Sequence, residues 1–130
     1  MFDESKIAQE MNSLITDRRF KEMIERAEQV IDEYPESYLG RWWSARAYTL
    51  MGDTEAALDW FMEAMKKTES ELQESKISSS IANVYNIRKD WEKSLNYTNI
   101  ALALNPQNVV AIIARSIALM ATGKRKEANM

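Results

Sequence analysis

Hydrophobic residues recur at steps of three and four positions along most of the chain, which is the spacing of one face of an α-helix. The stretch from Trp42 to Met65 shows the pattern most clearly, and a Gly-Asp pair at Gly52 and Asp53 divides it. Glycine ends helices by adopting the left-handed conformation, and aspartate caps the next helix. The members of the second apolar stripe are Ala57, Leu58, Phe61, Ala64 and Met65. The pattern predicts two helices joined as a hairpin.

The same signals predict seven helices, no strand and a short C-terminal turn. We expect Ser37 to cap the third helix, and Ser70 with Gln73 to form a capping box at the fifth. The predicted spans are 4–16, 20–33, 37–50, 54–67, 71–87, 91–104 and 108–121.

An internal repeat organises these helices. Two prolines, Pro35 and Pro106, lie 71 residues apart, which equals one spacing of 34 plus one of 37. A repeat of this length is the mark of a stacked helical array. Spacings of 34, 37 and 34 residues separate the aligned positions Phe20, Thr54, Trp91 and Arg125.

The repeat resembles the tetratricopeptide repeat family. A small residue followed three positions later by an aromatic one occurs at Ala45 and Tyr48, and again at Ala82 and Tyr85. The second-helix pattern of small, bulky and small residues is met by Ala57, Phe61 and Ala64, and less closely by Ser94, Thr98 and Ala101. The resemblance implies an all-α fold, a right-handed α-solenoid of antiparallel helix pairs. It implies one domain over 1–130, with repeats at about 4–37, 38–74 and 75–108 and a partial repeat at 109–130.

The first repeat departs from the family pattern. Met11 and Met23 occupy positions where the family has small residues, whereas Ala27 stands where a bulky residue is usual. Large and small residues have exchanged places, so the total core volume is conserved. We therefore expect this repeat to fold although its sequence is degenerate.

Composition argues against most enzyme chemistry. The chain has no cysteine and no histidine, which removes the usual zinc ligands and the commonest general base. We expect no metal, no cofactor and no enzymatic activity. The three glycines are isolated, and the most apolar stretch, Val109 to Ala121, is too short to span a membrane. Without a visible signal peptide, the chain is interpreted as cytoplasmic.

Charge is distributed unevenly. Residues 1–74 hold 17 acids and 9 bases, whereas residues 75–130 hold 3 acids and 8 bases. This asymmetry is either scatter on solvated faces or a means of steering a partner or a second copy. The chain is acidic overall, with a net charge of −3, so nucleic acid is not an expected partner.

The resemblance also implies a ligand. In this family the first helices of successive repeats line a concave groove that holds a peptide of another protein. The groove residues that we map onto this chain are Asn12, Trp42, Trp43, Arg46, Lys76, Asn83 and Asn86. Two alternatives remain open: one indole fills a core position, and Arg46 pairs with Glu10. A chaperone-tail receptor is not expected, because only Asn12 and Lys76 match its carboxylate clamp.

Two classes of function follow. The leading prediction is an adaptor that binds a protein or peptide in its groove, and the alternative is a self-associating scaffold module. The helix Val109 to Ala121 carries one charge in thirteen residues and is apolar on every side, as a buried helix would be. The residues Ile113, Ile117 and Met120 would then be an exposed patch unless the chain is part of a longer repeat protein or forms a homodimer through this helix.

Overall fold

The computed structural model describes the backbone of residues 3–128 and the side chains of residues 3–123. This part of the chain contains α-helices and no strand. The seven described helices follow one another in the predicted order. The helices are α1 (Glu4–Thr16), α2 (Phe20–Glu33), α3 (Leu39–Leu50), α4 (Thr54–Met65), α5 (Glu71–Ile87), α6 (Trp91–Leu104) and α7 (Val109–Ala128).

Local capping chemistry explains where the helices begin. The carboxylates of Asp53 and Asp90 accept hydrogen bonds from backbone N–H groups at the starts of α4 and α6. The Ser70 hydroxyl accepts one from Gln73 at the start of α5, as predicted. The prediction that Ser37 caps α3 is wrong: the capping position is Tyr38, which makes no side-chain cap bond, and α3 begins at Leu39. The Ser37 hydroxyl accepts from the N–H of Leu39 at 3.2 Å.

The predicted C-terminal turn is wrong. The seventh helix was expected to span 108–121, but α7 continues through Gly123 to Ala128. Among the described glycines, Gly52 is the one with positive φ, so Gly123 does not adopt the left-handed conformation that ends a helix. A glycine inside a helix costs only about 1 kcal/mol relative to alanine. The helix-favouring residues after Gly123 therefore extend the helix.

The chain divides into two compact units, one that ends at Lys67 and one that begins at Thr68. In the first unit, α3 packs between α2 and α4, and α1 contacts α2. In the second unit, α5 packs against α6, and α7 contacts both of them. Each unit thus consists of helices that are paired with their neighbours in the sequence.

The residues that carry the repeat pattern form the core. The small and bulky positions of the second repeat, Ala57, Phe61 and Ala64, are buried, and so are the less typical Ser94, Thr98 and Ala101 of the third. In the first repeat the exchanged residues are also buried; these are Met11, Met23 and Ala27. The exchange of large and small side chains is therefore accommodated inside the core.

The turn inside each helix pair has one geometry, repeated three times. Arg18, Gly52 and Lys89 have φ values of 57°, 82° and 60° and directly follow the C-terminal caps of α1, α3 and α5. In the Gly52 turn, its N–H donates to Thr49 and the next N–H donates to Tyr48. This is the Schellman arrangement, which satisfies the last carbonyls of a helix. Equivalent bonds occur in the other two turns.

These turns give a matched pair of substitutions. Gly52→Ala is expected to lower the free energy of unfolding by about 1 kcal/mol, because an L-residue pays that cost in the left-handed region. A Cβ at Gly52 would meet no atom within 4 Å, so the effect is purely conformational. Lys89→Gly removes the same strain and is not expected to destabilise. Urea denaturation followed by circular dichroism measures both, and a stable Gly52→Ala variant would contradict the turn assignment.

Candidate functional site

Arg46 and two tryptophans form a cluster on α3. Trp42 and Trp43 precede Arg46 by four and three residues, which places all three side chains on neighbouring positions of one helix. The guanidinium carbon lies 5.1 Å from the ring centroid of each indole. The two indoles contact each other edge to face, with centroids 4.7 Å apart and ring planes inclined by 76°. The arrangement holds the guanidinium against two aromatic rings.

The indoles themselves are buried. Trp42 is 8% exposed and Trp43 is 3% exposed, so neither ring offers much surface to a ligand. The Nε1–H of Trp43 is buried without a hydrogen-bond acceptor among the described residues. Both indoles, and not only one of them, therefore fill core positions. Their role in a binding site would be to support Arg46.

Arg46 is half-buried, and the described residues form no ion pair with it. Burial lowers the pKa of its guanidinium, and no neighbouring carboxylate contributes to that shift. Glu10, the alternative partner considered for it, instead forms an ion pair with Arg26, with Nε and Oε2 2.6 Å apart. Within the described side chains, no carboxylate lies within ion-pairing distance of Arg46. Among the described side chains, the Arg46 guanidinium therefore has no carboxylate that accepts its hydrogen bonds.

The fourth groove residue of the first unit, Asn12, is exposed on α1. Its backbone carbonyl accepts a hydrogen bond from Thr16 at 3.0 Å, and its side chain faces solvent. The same unit has an open cleft between α1 and α2, which the sequence did not indicate. Its lining residues are Glu10, Ser13, Leu14, Glu22, Glu25, Arg26 and Gln29.

The remaining groove residues lie on α5 in the second unit and differ in their surroundings. Lys76 and Asn83 are half-buried and seven residues apart, two turns along one face. The side chain of Asn86 is engaged in a hydrogen bond within the unit, because its Nδ2 donates to the carbonyl of Ala114 at 3.0 Å. Its Oδ1 is buried and has no donor among the described residues. Asn86 therefore joins α5 to α7.

A polar network that the sequence reasoning missed fixes the start of α7. Asn108 donates from Nδ2 to the Ser75 carbonyl, the Ser75 hydroxyl and the Ser79 hydroxyl, at 3.2, 2.9 and 3.2 Å. Its Oδ1 accepts from the N–H of Ala111 at 3.1 Å. The position of Asn108 just after Pro106, where a helix cap is expected, was the available signal.

Within the described residues, no group of three or more acidic, histidine or cysteine side chains is arranged to hold a metal ion. None of the helices described combines the length and the apolar character that crossing a bilayer requires. The Arg46 cluster is therefore the candidate site in the first unit, and Lys76 with Asn83 marks one in the second.

Comparison with known proteins identifies the architecture. No protein-family model matches the sequence, and no curated protein matches it. A solved structure does: the NMR structure of the second TPR domain of the human RPAP3 protein in complex with the HSP70 peptide SGPTIEEVD. The similarity has a TM-score of 0.70 and covers 86% of this chain and 91% of that one. This chain has the TPR fold.

The TPR fold confirms the predicted all-α, helical-solenoid class. The two sequences are only 18% identical, so the similarity concerns the arrangement of the helices and not the residues of a binding site. The number of domains and the exact limits of the repeats stay predictions.

Proposed function

We propose that this chain is a protein-interaction module that binds an acidic peptide segment of another protein, with Arg46 as the anchor for a carboxylate. The observation that carries the proposal is the half-buried guanidinium, which is held by two indoles and lacks a carboxylate partner among the described residues. The TPR fold supports it, because a domain of that fold is seen in complex with a peptide.

The physical argument is one of unmet hydrogen-bonding capacity. A guanidinium presents five N–H donors in a rigid fork that matches a carboxylate, and such charged pairs are stronger than neutral ones. Arg46 has already lost part of its hydration through burial, which lowers its pKa. A ligand carboxylate would replace the hydrogen bonds to water that burial has removed. Because the indoles already restrict the guanidinium, it loses less conformational entropy on binding.

The peptide bound by the structural neighbour ends in Glu-Glu-Val-Asp, which is acidic. This chain retains only two of the clamp residues that the resemblance would require, Asn12 and Lys76. We therefore place the carboxylate contact on α3 at Arg46, and we do not assign this chain the neighbour's ligand. Lys76 and Asn83, on α5 of the second unit, are proposed as a separate peptide contact.

A displayed library of random nine-residue peptides with free C-terminal carboxylates tests the proposal. We expect selection to enrich aspartate and glutamate. We expect Arg46→Ala to lower the affinity for the selected peptides by about 10- to 100-fold. This range corresponds to the loss of one charge-assisted hydrogen-bonding contact of about 1.5–3 kcal/mol. Arg46→Lys should recover only part of the affinity, because lysine lacks the planar fork. Isothermal titration calorimetry measures each affinity.

Arg88→Ala is the matched control, because Arg88 is an exposed arginine at the C-terminal cap of α5. The Arg88→Ala variant also loses one positive charge. Its affinity should stay within about two-fold of that of the unmodified chain, because an exposed charge contributes little to binding. The affinity of the Asn83→Ala variant for the selected peptides tests the proposed contact on α5 separately. Peptides that bind the Arg46→Ala variant as tightly as the unmodified chain would overturn the assignment of Arg46.

A further inference from the structure

Helix α7 presents its large apolar side chains to solvent and its small ones to the protein. Three alanines, Ala111, Ala114 and Ala118, are fully buried and face α5 and α6. Seven larger apolar residues of the same helix are each between 42% and 63% exposed. They are Val109, Val110, Ile112, Ile113, Ile117, Leu119 and Met120. This is the reverse of an ordinary surface helix, whose large apolar residues face the core.

The exposed residues repeat every seven positions. Ile112 and Leu119 form one row, and Ile113 and Met120 form another about 100° further around the helix. A third row, with smaller side chains towards its end, consists of Val109, Ser116 and Gly123. A seven-residue apolar repeat on one face is the pattern that packs against another helix. Small residues in one row let the two backbones approach closely, and the large ones fill the flanks.

Charge distinguishes between the candidate occupants. Arg115 is exposed, is the one charged residue between Val109 and Gly123, and lies near the middle of that stretch. Two copies of α7 packed along this stretch in either direction would bring their Arg115 side chains close together, which disfavours a partner of the same sequence.

The acidic first unit of a second copy is a weaker candidate because it lacks a matching apolar surface. Its large apolar residues that the structure describes as exposed are Leu50, Met51 and Met62, which are spread over the end of α3 and over α4. They do not form a row at seven-residue spacing. A partner must therefore supply both an apolar stripe and negative charge.

We infer that α7 is a second docking surface, separate from Arg46, and that its occupant is an amphipathic helix of another protein with acidic residues flanking its apolar stripe. The apolar rows supply the affinity, since burial of each large side chain is favourable. Arg115 supplies selectivity for negative flanks, because interface charges mainly decide between partners. Over Val109 to Gly123 the surface is about 21 Å long, which accommodates four turns of a docked helix.

A displayed library of 18-residue helical peptides tests this inference. Leucine is fixed at apolar positions with three- and four-residue spacing, and the flanking positions vary among glutamate, glutamine and lysine. The bait is the full chain. We expect glutamate to be enriched over lysine at the flanks. Equal enrichment of the two, or selection of no peptide at all, would overturn the inference.

The selected peptides are then titrated against variants by fluorescence anisotropy. Ile113→Ser combined with Ile117→Ser should weaken binding at least ten-fold, whereas Ile100→Ser, at an exposed apolar position of α6, should leave it unchanged. Arg115→Glu should reverse the preference between glutamate-flanked and lysine-flanked peptides. Circular dichroism verifies that each variant is folded. Peptides that bind the double variant normally would contradict the assignment to α7.

Two further measurements separate the alternatives. Light scattering of the unmodified chain across concentration should show a constant mass, and a dimer that Ile113→Ser with Ile117→Ser dissolves would make a second copy the occupant and overturn the inference. Arg46→Ala should leave the affinity for the helical peptides unchanged. The α7 surface and the Arg46 site can therefore fail independently.

Discussion

Replacement of Gly40 by alanine is expected to lower the free energy of unfolding by about 1–3 kcal/mol, the usual cost of forcing extra atoms into a packed interface. A Cβ on Gly40 would lie 2.7 Å from Cγ1 of Ile31, 2.9 Å from the Ile31 backbone nitrogen and 3.1 Å from the Ala27 carbonyl oxygen. Two of these three atoms belong to the backbone of α2 and cannot rotate away. The helices α2 and α3 must therefore separate.

Gly123→Ala is the matched control. Gly123 also lies inside a helix, but an added Cβ meets no atom within 4 Å, so alanine there should be neutral or stabilise by up to about 1 kcal/mol. Urea denaturation measures both variants, and hydrogen exchange of α2 and α3 shows where the first one loosens. If Gly40→Ala were as stable as the unmodified chain, the close approach of α2 and α3 would be incorrect.

Gly40 illustrates which parts of the fold the sequence could predict. Helix ends that depend on a local signal were predicted well: α4 begins after Asp53, and α5 begins after Ser70. The repeat spacing predicted the pairing because its small and large positions, such as Ala57 and Phe61, are those buried in the structure. The contact of Gly40 with α2 depends on how closely two backbones approach, and no local pattern encodes that distance.

The candidate site was predicted less completely, for reasons that depend on surroundings. Helical spacing placed Trp42, Trp43 and Arg46 together, and the structure agrees. The sequence could not show that both indoles are buried, because that depends on the elements packed around α3. It also could not show that Glu10 pairs with Arg26. Both facts changed the interpretation: Arg46 has no carboxylate partner among the described residues, and in the proposed site the indoles support Arg46.

At α7 the sequence predicted an apolar helix but not which residues would face solvent. Its apolar residues surround the helix, so periodicity alone does not define a buried face. The structure shows that Ala111, Ala114 and Ala118 make the contact with the unit, and that leaves Ile113, Ile117 and Met120 exposed. The exposed patch that the sequence raised as a question is therefore present in the structure.

Removal of the Asn108 side chain is the second large effect that we expect. Asn108→Ala should lower the free energy of unfolding by about 2–3 kcal/mol, because it combines the loss of a helix cap with the loss of the Nδ2 hydrogen bonds to three buried acceptors. The acceptors are the carbonyl and hydroxyl of Ser75 and the hydroxyl of Ser79. Asn105→Ala is the control, since the Asn105 side chain accepts one local bond from Gln107, and it should cost less than about 1 kcal/mol.

Asn108→Asp separates the cap from the network. Aspartate caps a helix as well as asparagine does, so a residue that acts only as a cap would tolerate this exchange. At position 108, however, the exchange replaces the Nδ2 donor with a carboxylate oxygen that faces the Ser75 carbonyl, 3.2 Å away from the original nitrogen. We therefore expect Asn108→Asp to destabilise at least as much as Asn108→Ala in urea denaturation. A neutral Asn108→Asp would reduce Asn108 to a simple cap. The attachment of α7 to α5 would then depend on the alanine contacts and on Asn86 alone among the interactions that the structure describes.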